Sequence, residues 1–93
     1  MILSFANKET EKIFKRDFSR KRPHEIQPLV KKKLDILNAA HDLNDLRVPP
    51  GNQEEPLFGN RAGQHSIKVN DQWRLYFSWI QNNAYDCELT DFH

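Results

Sequence analysis

Two periodicities divide the chain into a helical half and a strand half. After a short strand-like apolar run at residues 2–5, apolar side chains recur at helical spacing in residues 8–18 and again in residues 28–41. Asn7 is placed to cap the first helix, and Pro28 suits the first turn of the second. The apolar sides of these predicted helices consist of Ile13, Phe14 and Phe18 in the first, and of Leu29, Val30, Leu34, Leu37 and Ala40 in the second.

From residue 66 onward, apolar and polar residues alternate, which is the period of a half-buried strand. Turns at residues 70–71 and 81–83 divide this region into three strands of an antiparallel meander that ends at Phe92. The middle strand carries Trp73, Leu75, Phe77 and Trp79 on one face, and in the last strand Tyr85, Cys87 and Leu89 alternate against Asp86, Glu88 and Thr90. Both helices are expected to cover the Trp-rich face, with the other face open.

The predicted architecture is α+β, with the order β-α-α-β-β-β in one domain spanning residues 1–93. The first strand joins a mainly antiparallel, twisted sheet, and the two N-terminal helices pack on one of its faces. Residues 17–28 combine high charge density with two prolines, so we expect a mobile loop there. Residues 43–63 hold three prolines and all three glycines, which predicts a long irregular segment with a brief strand at residues 56–58.

Charge is unevenly distributed along the chain. The formal net charge of +1 argues at first against a polyanion partner, yet residues 1–47 carry 11 basic against 7 acidic side chains and residues 48–93 carry 3 against 6. The basic residues concentrate between Lys15 and Lys33. This run has two interpretations, a surface for nucleic acid or the ribosome, or a solvated helix face with its loop. The contact residues proposed under the first interpretation are Arg20, Lys21, Arg22, Lys31 and Lys32.

Simple counts argue against several classes of protein. A single cysteine cannot form an intramolecular disulfide, which favours a reducing compartment, and no apolar stretch approaches the roughly 20 residues of a membrane span. We therefore expect a cytoplasmic protein with no membrane contact. The four histidines have no second ligand at a metal-binding spacing, so we expect no metal and no other cofactor.

Arg74 is the first candidate for chemistry. The alternation places it on a central strand, opposite the apolar face, where a planar cation on a rigid backbone could bind a phosphate in bidentate fashion. The alternative is an ion pair with Asp86 or Glu88 across the meander. Asp91 and His93 share one side of the last strand and could face a common site, the alternative there being a frayed tail.

The irregular segment before the meander offers a further candidate. Gly59 and Gly63 permit positive φ, so Arg61 could be displayed on a tight turn toward an anionic ligand. The alternative is an ordinary loop with charged tips. Long loops in small domains are often functional, so this segment is a candidate part of the functional site.

The stretch from Gly59 to Trp79 resembles the HigB-type toxins of the RelE/ParE superfamily of bacterial toxin–antitoxin modules. Its most specific part is Ser-Ile-Lys-Val-Asn-Asp-Gln-Trp-Arg, and the likeness extends over the whole chain. The resemblance implies a microbial RNase fold and an endoribonuclease that cuts mRNA in the ribosomal A site. It also implies a cognate helix-turn-helix antitoxin of the HigA type. The toxin would bind operator DNA only through this antitoxin.

The resemblance also assigns roles to residues. The family arginine that handles the scissile phosphate matches Arg74, and the family's terminal Asp-Tyr-His matches Asp91, Phe92 and His93. Two departures are visible. Where some members carry a catalytic histidine and lysine in a His-Pro-Leu-Lys-Gly loop, this chain has Glu55-Pro56-Leu57-Phe58-Gly59, and Phe92 lacks the tyrosine hydroxyl. These departures predict weak ribonuclease activity or strict dependence on the ribosome.

The implied reaction is metal-free attack of a ribose 2′-OH on the adjacent phosphate. Arg74 would stabilise the phosphorane, Asp91 or Glu55 would orient or deprotonate the 2′-OH, and His93 would act as general acid or base. Substrate contacts are predicted at Arg61, Lys68 and Phe92. Two alternatives use the same scaffold: a ParE-like inhibitor of DNA gyrase, and a weakly catalytic module whose main role is to bind an antitoxin as a corepressor.

Overall fold

The chain folds as two helices followed by a four-stranded antiparallel sheet. The computed structural model describes residues 1–48, 50–57, 59–61 and 63–91, the side chains of residues 50 and 61 excepted. Its main elements are α1 (Lys8–Phe14), α2 (Gln27–Ala39), β1 (Glu55–Pro56), β2 (Gln64–Lys68), β3 (Trp73–Ile80) and β4 (Asn83–Asp91). The strands lie in the order β1-β2-β3-β4. The predicted α+β layout, with two helices ahead of antiparallel strands, is confirmed.

Helix α1 is shorter than predicted. Asn7 caps its start as expected, because the Asn7 side chain accepts a hydrogen bond of 2.9 Å from the backbone N–H of Thr10. At the other end Arg16 adopts φ 65°, and the N–H groups of Arg16 and Asp17 return to carbonyls of the last turn, which closes the helix. Phe18 lies beyond this reversal with 51% of its surface exposed, so its predicted place on the apolar helix face is wrong.

Helix α2 supplies the helical side of the core. A short 3-10 turn, His24–Ile26, leads into it, and the helix then runs for 13 residues. Its buried face follows the predicted stripe and includes Val30, Leu34 and Leu37. No helix in the described part of the chain is long and apolar enough to cross a membrane.

The two faces of the sheet differ in polarity. The face toward the helices carries Ile67, Leu75, Phe77 and Leu89, all buried in one cluster with the apolar residues of α2. The two tryptophans of β3 are partly buried and pack against the same cluster, as the alternation predicted. Residues between these apolar positions, Arg74 among them, consequently face the other side of the sheet.

A bulge interrupts β4 at Asp86. This residue has φ 55°, and the register of β4 against β3 shifts by one residue there. Ala84 and Cys87 are buried on either side of the bulge, while Tyr85 leaves the core face. The predicted alternation is therefore wrong for Tyr85, because the extra residue changes the face on which each preceding side chain lies.

The N-terminal segment joins the sheet, as predicted, and it lies beside β4 and parallel to it. Ile2 bridges Ala84 and Phe5 bridges Cys87. The backbone N–H groups of Leu3 and Ala6 donate to the carbonyls of Ala84 and Cys87, at 2.8 and 2.9 Å. The bulge lies between the two bridges. Because β3 lies on one side of β4 and the N-terminal segment on the other, β4 has a neighbour along both edges.

Residues 43–63 form the predicted irregular segment, and its first part contributes side chains to the core. Two 3-10 turns, Leu43–Arg47 and Pro50–Asn52, bury Leu46 and Asn52. Asn52 donates to the carbonyl of Leu46 at 3.2 Å and accepts from the ammonium of Lys33, on α2, at 2.7 Å. Burial lowers the pKa of Lys33, and the neighbouring charge of Lys32 adds to that effect. The brief strand occupies residues 55–56, and Phe58 lies outside the described residues.

Truncating Leu46 tests this packing. Leu46 is fully buried, so Leu46→Ala should lower the free energy of unfolding by about 2–5 kcal/mol, measured by urea denaturation. Val48, two residues later, is 71% exposed, and Val48→Ala should change the same quantity by less than about 0.5 kcal/mol. Equal effects of the two changes would show that the segment does not contribute Leu46 to the core.

The buried thiol of Cys87 gives a second test of the core. Burial raises the pKa of this thiol from its usual value near 9.0 to about 12. The native state therefore keeps its proton between these values while the unfolded state releases it, so stability should fall as pH rises from about 9 to 12.

The measurement compares urea denaturation of the wild type and of Cys87→Ala at pH 8 and pH 10. The wild type should lose more stability over this interval than the variant, which has no thiol to titrate. Native Cys87 should also resist a thiol reagent at pH 8 and react after unfolding. Rapid labelling of the native protein would contradict its burial.

Candidate active site

Arg74 is a buried cation whose acceptors include a side-chain hydroxyl and a backbone carbonyl. It lies on β3 on the face away from the helices, and only 5% of its surface is exposed. Its Nε donates to the hydroxyl of Ser66 at 3.0 Å, and its Nη2 donates to the carbonyl of Gln53 at 2.7 Å. The predicted open face is therefore covered at this position. The segment around Gln53 also compensates for this burial, because a buried guanidinium needs acceptors and the Gln53 carbonyl supplies one.

Glu55 lies beside Arg74 in space, although the two residues are far apart in sequence. One carboxylate oxygen of Glu55 is 3.9 Å from Arg74 Nη2, and the side chain is 60% exposed. Sequence spacing suggested a pair with Asp86 or Glu88, and the register places Glu88 opposite Tyr76, on the same face of the sheet as Arg74. The carboxylate described beside Arg74 comes from β1 instead. A fixed cation thus adjoins an accessible proton acceptor.

A polar row crosses the sheet at Arg74. Lys68 pairs with Arg74 on one side and Thr90 pairs with it on the other, so the three side chains share a face. The ammonium of Lys68 lies 3.0 Å from the carboxylate of Asp71. The Thr90 hydroxyl is buried and has no hydrogen-bond partner within the described ranges. Lys68 is therefore close enough to Arg74 to share a ligand with it.

Ser66 and Thr90 were not identified from the sequence. The signal that could have found them is the alternation itself, because both lie on the Arg74 face in strands adjacent to β3. To use the alternation in this way, one must know which residues of neighbouring strands are paired, and residue type alone does not reveal that pairing. The buried hydroxyl of Ser66 then follows as the acceptor for Arg74.

The C-terminal residues are placed only in part. Asp91 pairs with Trp73, so its side chain lies on the opposite face of the sheet from Arg74. It accepts a hydrogen bond of 3.2 Å from the Gln72 side chain. Phe92 and His93 lie outside the described residues, and their roles stay predictions.

Arg61 is described only in its backbone. It ends a 3-10 turn, Gly59–Arg61, and its side chain lies outside the description. The glycines on either side have positive φ, 68° at Gly59 and 90° at Gly63, as predicted. The expected tight turn is therefore present, and the contact of Arg61 with an anion stays a prediction.

The basic loop between the helices is anchored, in contrast to the mobile loop predicted for it. Ser19 is buried, its backbone N–H and carbonyl bind the Gln27 side chain at 3.1 and 2.8 Å, and its hydroxyl donates to Glu9. The Ser19 hydroxyl lowers the pKa of Glu9. Gln27 also donates to the carbonyl of Arg22 at 3.1 Å. These bonds hold the loop that carries the predicted contacts Arg20, Lys21 and Arg22.

The two basic contacts predicted on α2 have different surroundings. Lys31 forms a 2.6 Å ion pair with Asp35 and lies 4.6 Å from the centre of the Phe14 ring, whereas Lys32 is exposed. The basic surface formed by residues 20–22, Lys31 and Lys32 belongs to α2 and the loop before it. It is part of the helical layer, on the other side of the sheet from Arg74. The structure thus does not bring the basic surface and the Arg74 site together.

The fold has relatives among solved structures. It superposes on a YafQ variant from E. coli with a TM-score of 0.66 at 19% identity, covering 98% of this chain and 93% of that one. The YoeB–YefM complex from Staphylococcus aureus gives a TM-score of 0.58 at 15% identity, covering 100% and 98% of the two chains. A YoeB/ParE toxin from Agrobacterium tumefaciens gives 0.52 at 18% identity, covering 100% and 99%. The architecture is that of the RelE-like toxins.

Sequence relatives define the family more narrowly. Toxin HigB-1 of Vibrio cholerae serotype O1 is 41% identical over 90 residues, which cover 96% of this chain and 95% of that protein. Endoribonuclease HigB of Proteus vulgaris is 28% identical over 97 residues, covering both chains fully. Residues 3–93 match the HigB-like toxin family, the RelE-like toxins HigB of type II toxin–antitoxin systems, and the chain belongs to that family.

The anchored loop generates a prediction. Gln27→Ala removes three hydrogen bonds to the backbone of Ser19 and Arg22, so it should lower the free energy of unfolding by about 1–3 kcal/mol. Trypsin should also cleave the native protein faster after Arg20 and Lys21, because the loop opens more readily. Gln72→Ala, at a partly exposed position before β3, serves as the control. Equal cleavage rates in the two variants would contradict the anchoring role of Gln27.

Proposed function

We propose that this HigB-like toxin is a metal-independent endoribonuclease that cuts mRNA bound to the ribosome and thereby inhibits translation. The observation that carries the proposal is the pairing of Arg74 with Glu55, a cation held by rigid strands beside an exposed carboxylate. The name of the Proteus vulgaris relative, an endoribonuclease, supports the same class of reaction.

This pair suits a reaction in which negative charge develops on the nonbridging oxygens of a phosphate. Glu55 takes the proton from a ribose 2′-OH, and the 2′-oxygen attacks the adjacent phosphate. Arg74 stabilises the additional charge of the phosphorane through its donor groups. The bond from phosphorus to the 5′-oxygen then breaks, leaving a 2′,3′-cyclic phosphate and a 5′-OH.

The remaining predicted residues take supporting roles in this proposal. His93, which follows the end of β4 and so need not share the face of Asp91, protonates the departing 5′-oxygen. Phe92 and Arg61 contact the RNA. Lys68, in the same row as Arg74, provides a second positive charge to the phosphate. Asp91, on the other face, is better suited to orienting the end of β4 than to removing a proton beside Arg74.

The cover over Arg74 gives a physical reason for ribosome dependence. The guanidinium is buried and already bound to Ser66 and Gln53, so a free, flexible RNA gains little by approaching it. A ribosome holds the strand in a fixed conformation and thereby removes part of the entropic cost of positioning the phosphate. The basic surface of the helical layer supplies the contact with ribosomal RNA.

The protein has an antitoxin partner, because it is the toxin of a type II module. The YoeB–YefM complex, which shares the fold, is an example of a related chain bound to a second protein. We propose that the antitoxin is a helix-turn-helix protein of the HigA type and that operator DNA is bound through it. Both components then act in the cytoplasm, where ribosomes are found.

The site is tested by changing Glu55 and Arg74 in separate variants. Glu55→Gln keeps the size of an exposed side chain and removes the base, and Arg74→Lys keeps the charge and removes the fork of donors. Each change should slow mRNA cleavage on purified ribosomes by about 10²- to 10³-fold, measured by mapping transcript 5′ ends. A chelator selective for transition metals, added so that the Mg²⁺ of the ribosomes stays in place, should leave the wild-type rate unchanged.

Glu11→Ala, which removes an exposed negative charge in α1, is the control and should cleave at the wild-type rate. Thermal unfolding of each variant establishes that a loss of cleavage does not reflect loss of structure. Wild-type cleavage by folded Glu55→Gln and Arg74→Lys would refute the assignment of the site. Growth arrest by the wild type without any transcript cuts would refute the nuclease itself.

A further inference from the structure

Glu54 is a buried carboxylate that the proposed reaction does not use. Its side chain is only 2% exposed, although it lies immediately before the exposed Glu55. A buried carboxylate is costly unless hydrogen bonds compensate for its lost hydration. Glu54 has such a bond, because one oxygen lies 2.7 Å from Nδ1 of His65.

His65 is the principal partner of this carboxylate. An ionised carboxylate only accepts, so in the tautomer that makes this contact a hydrogen bond the imidazole donates from Nδ1. Arg47 approaches the other oxygen at 3.6 Å, but its side chain is 60% exposed, and such an ion pair contributes little. The bond to His65 therefore accounts for most of the compensation.

The imidazole is itself held rigidly by the sheet. His65 lies within β2, and its ring stacks on Phe77 of the core, with centroids 6.0 Å apart and planes 20° from parallel. Its backbone pairs with Pro56 of β1. Glu54 thus connects the irregular segment to one of the most constrained parts of the molecule.

The residues on either side of Glu54 are the ones that meet Arg74. Gln53 has φ 45°, a left-handed conformation that an L residue adopts only when its surroundings hold it there. Its carbonyl accepts from Arg74, and the carboxylate of Glu55 lies 3.9 Å from the same guanidinium nitrogen. A shift of Glu54 would therefore move both groups.

We propose that Glu54 and His65 are positioning residues, whose buried hydrogen bond fixes the segment of residues 53–55 and thereby orients both the Arg74 guanidinium and the Glu55 carboxylate. Neither residue touches the substrate. The catalytic part of this inference rests on the proposed nuclease function, whereas the structural part, the hold on Arg74, does not.

The structural part is tested by hydrogen exchange of the Arg74 Nε–H, observed in a 15N-labelled sample. This proton is bound to Ser66 and buried, so it should exchange slowly in the wild type. Glu54→Ala should accelerate its exchange by about tenfold or more, because the cover opens more often. Glu54→Gln, whose amide oxygen still accepts from His65, should restore most of the protection.

Glu11→Ala is the matched control, since Glu11 forms an exposed ion pair with Lys15 in α1. It should leave the exchange of the Arg74 proton unchanged. If Glu54→Ala fails to fold, His65→Phe replaces it, because this change keeps a ring on Phe77 and removes the donor. Wild-type exchange in whichever of these two variants folds would overturn the inference.

The catalytic part is tested by cleavage on ribosomes with the same variants. Glu54→Ala should lower kcat by about 10- to 100-fold with a smaller change in KM, and Glu54→Gln should recover most of the loss. Wild-type cleavage by Glu54→Ala, despite faster exchange, would overturn the catalytic part. Absence of cleavage by the wild type itself would refute the nuclease function and leave the exchange result as an independent test of positioning.

Discussion

The buried positive charge of Arg74 is the constraint on which the polar side of this structure depends. A guanidinium in the interior needs acceptors, and the sheet supplies one of them, the hydroxyl of Ser66. Another is the carbonyl of Gln53, in the chain that passes over this face of the sheet before β1. In the same segment Glu54 is buried and bonded to His65. The cation thus anchors a segment with little regular structure.

The apolar side of the sheet imposes a different constraint, since it must present a continuous surface to α2. The bulge at Asp86 allows Ala84 and Cys87 to be buried together although they are three residues apart. It also brings β4 alongside the N-terminal segment, which pairs on both sides of the bulge. The strand that carries Thr90 is therefore supported along both edges. This support gives the row through Arg74 a rigid base.

The parts of the fold that could be predicted from the sequence are those encoded by neighbouring residues. Helical spacing, the Asn7 cap and strand alternation each depend on a few consecutive positions, and each is confirmed. The failures have nonlocal or unusual causes. The end of α1 and the bulge in β4 use positive φ at Arg16 and Asp86, where sequence rules expect glycine. In the site, Arg74 was identified by residue type, whereas the importance of Glu54 and Ser66 appears only when distant strands are paired.

The net charge of +1 conceals a separation of charge between two layers. The basic residues lie in the helical layer, whereas Arg74 is accompanied by the exposed carboxylate of Glu55. For the proposed nuclease, this carboxylate disfavours indiscriminate binding of RNA at the site, because an incoming phosphate meets negative charge as well as Arg74. Affinity for a polyanion then has to come from the helical layer. Binding and chemistry are thereby assigned to opposite sides of one small sheet, and only a partner that contacts both sides, or holds the RNA strand in place, can join them.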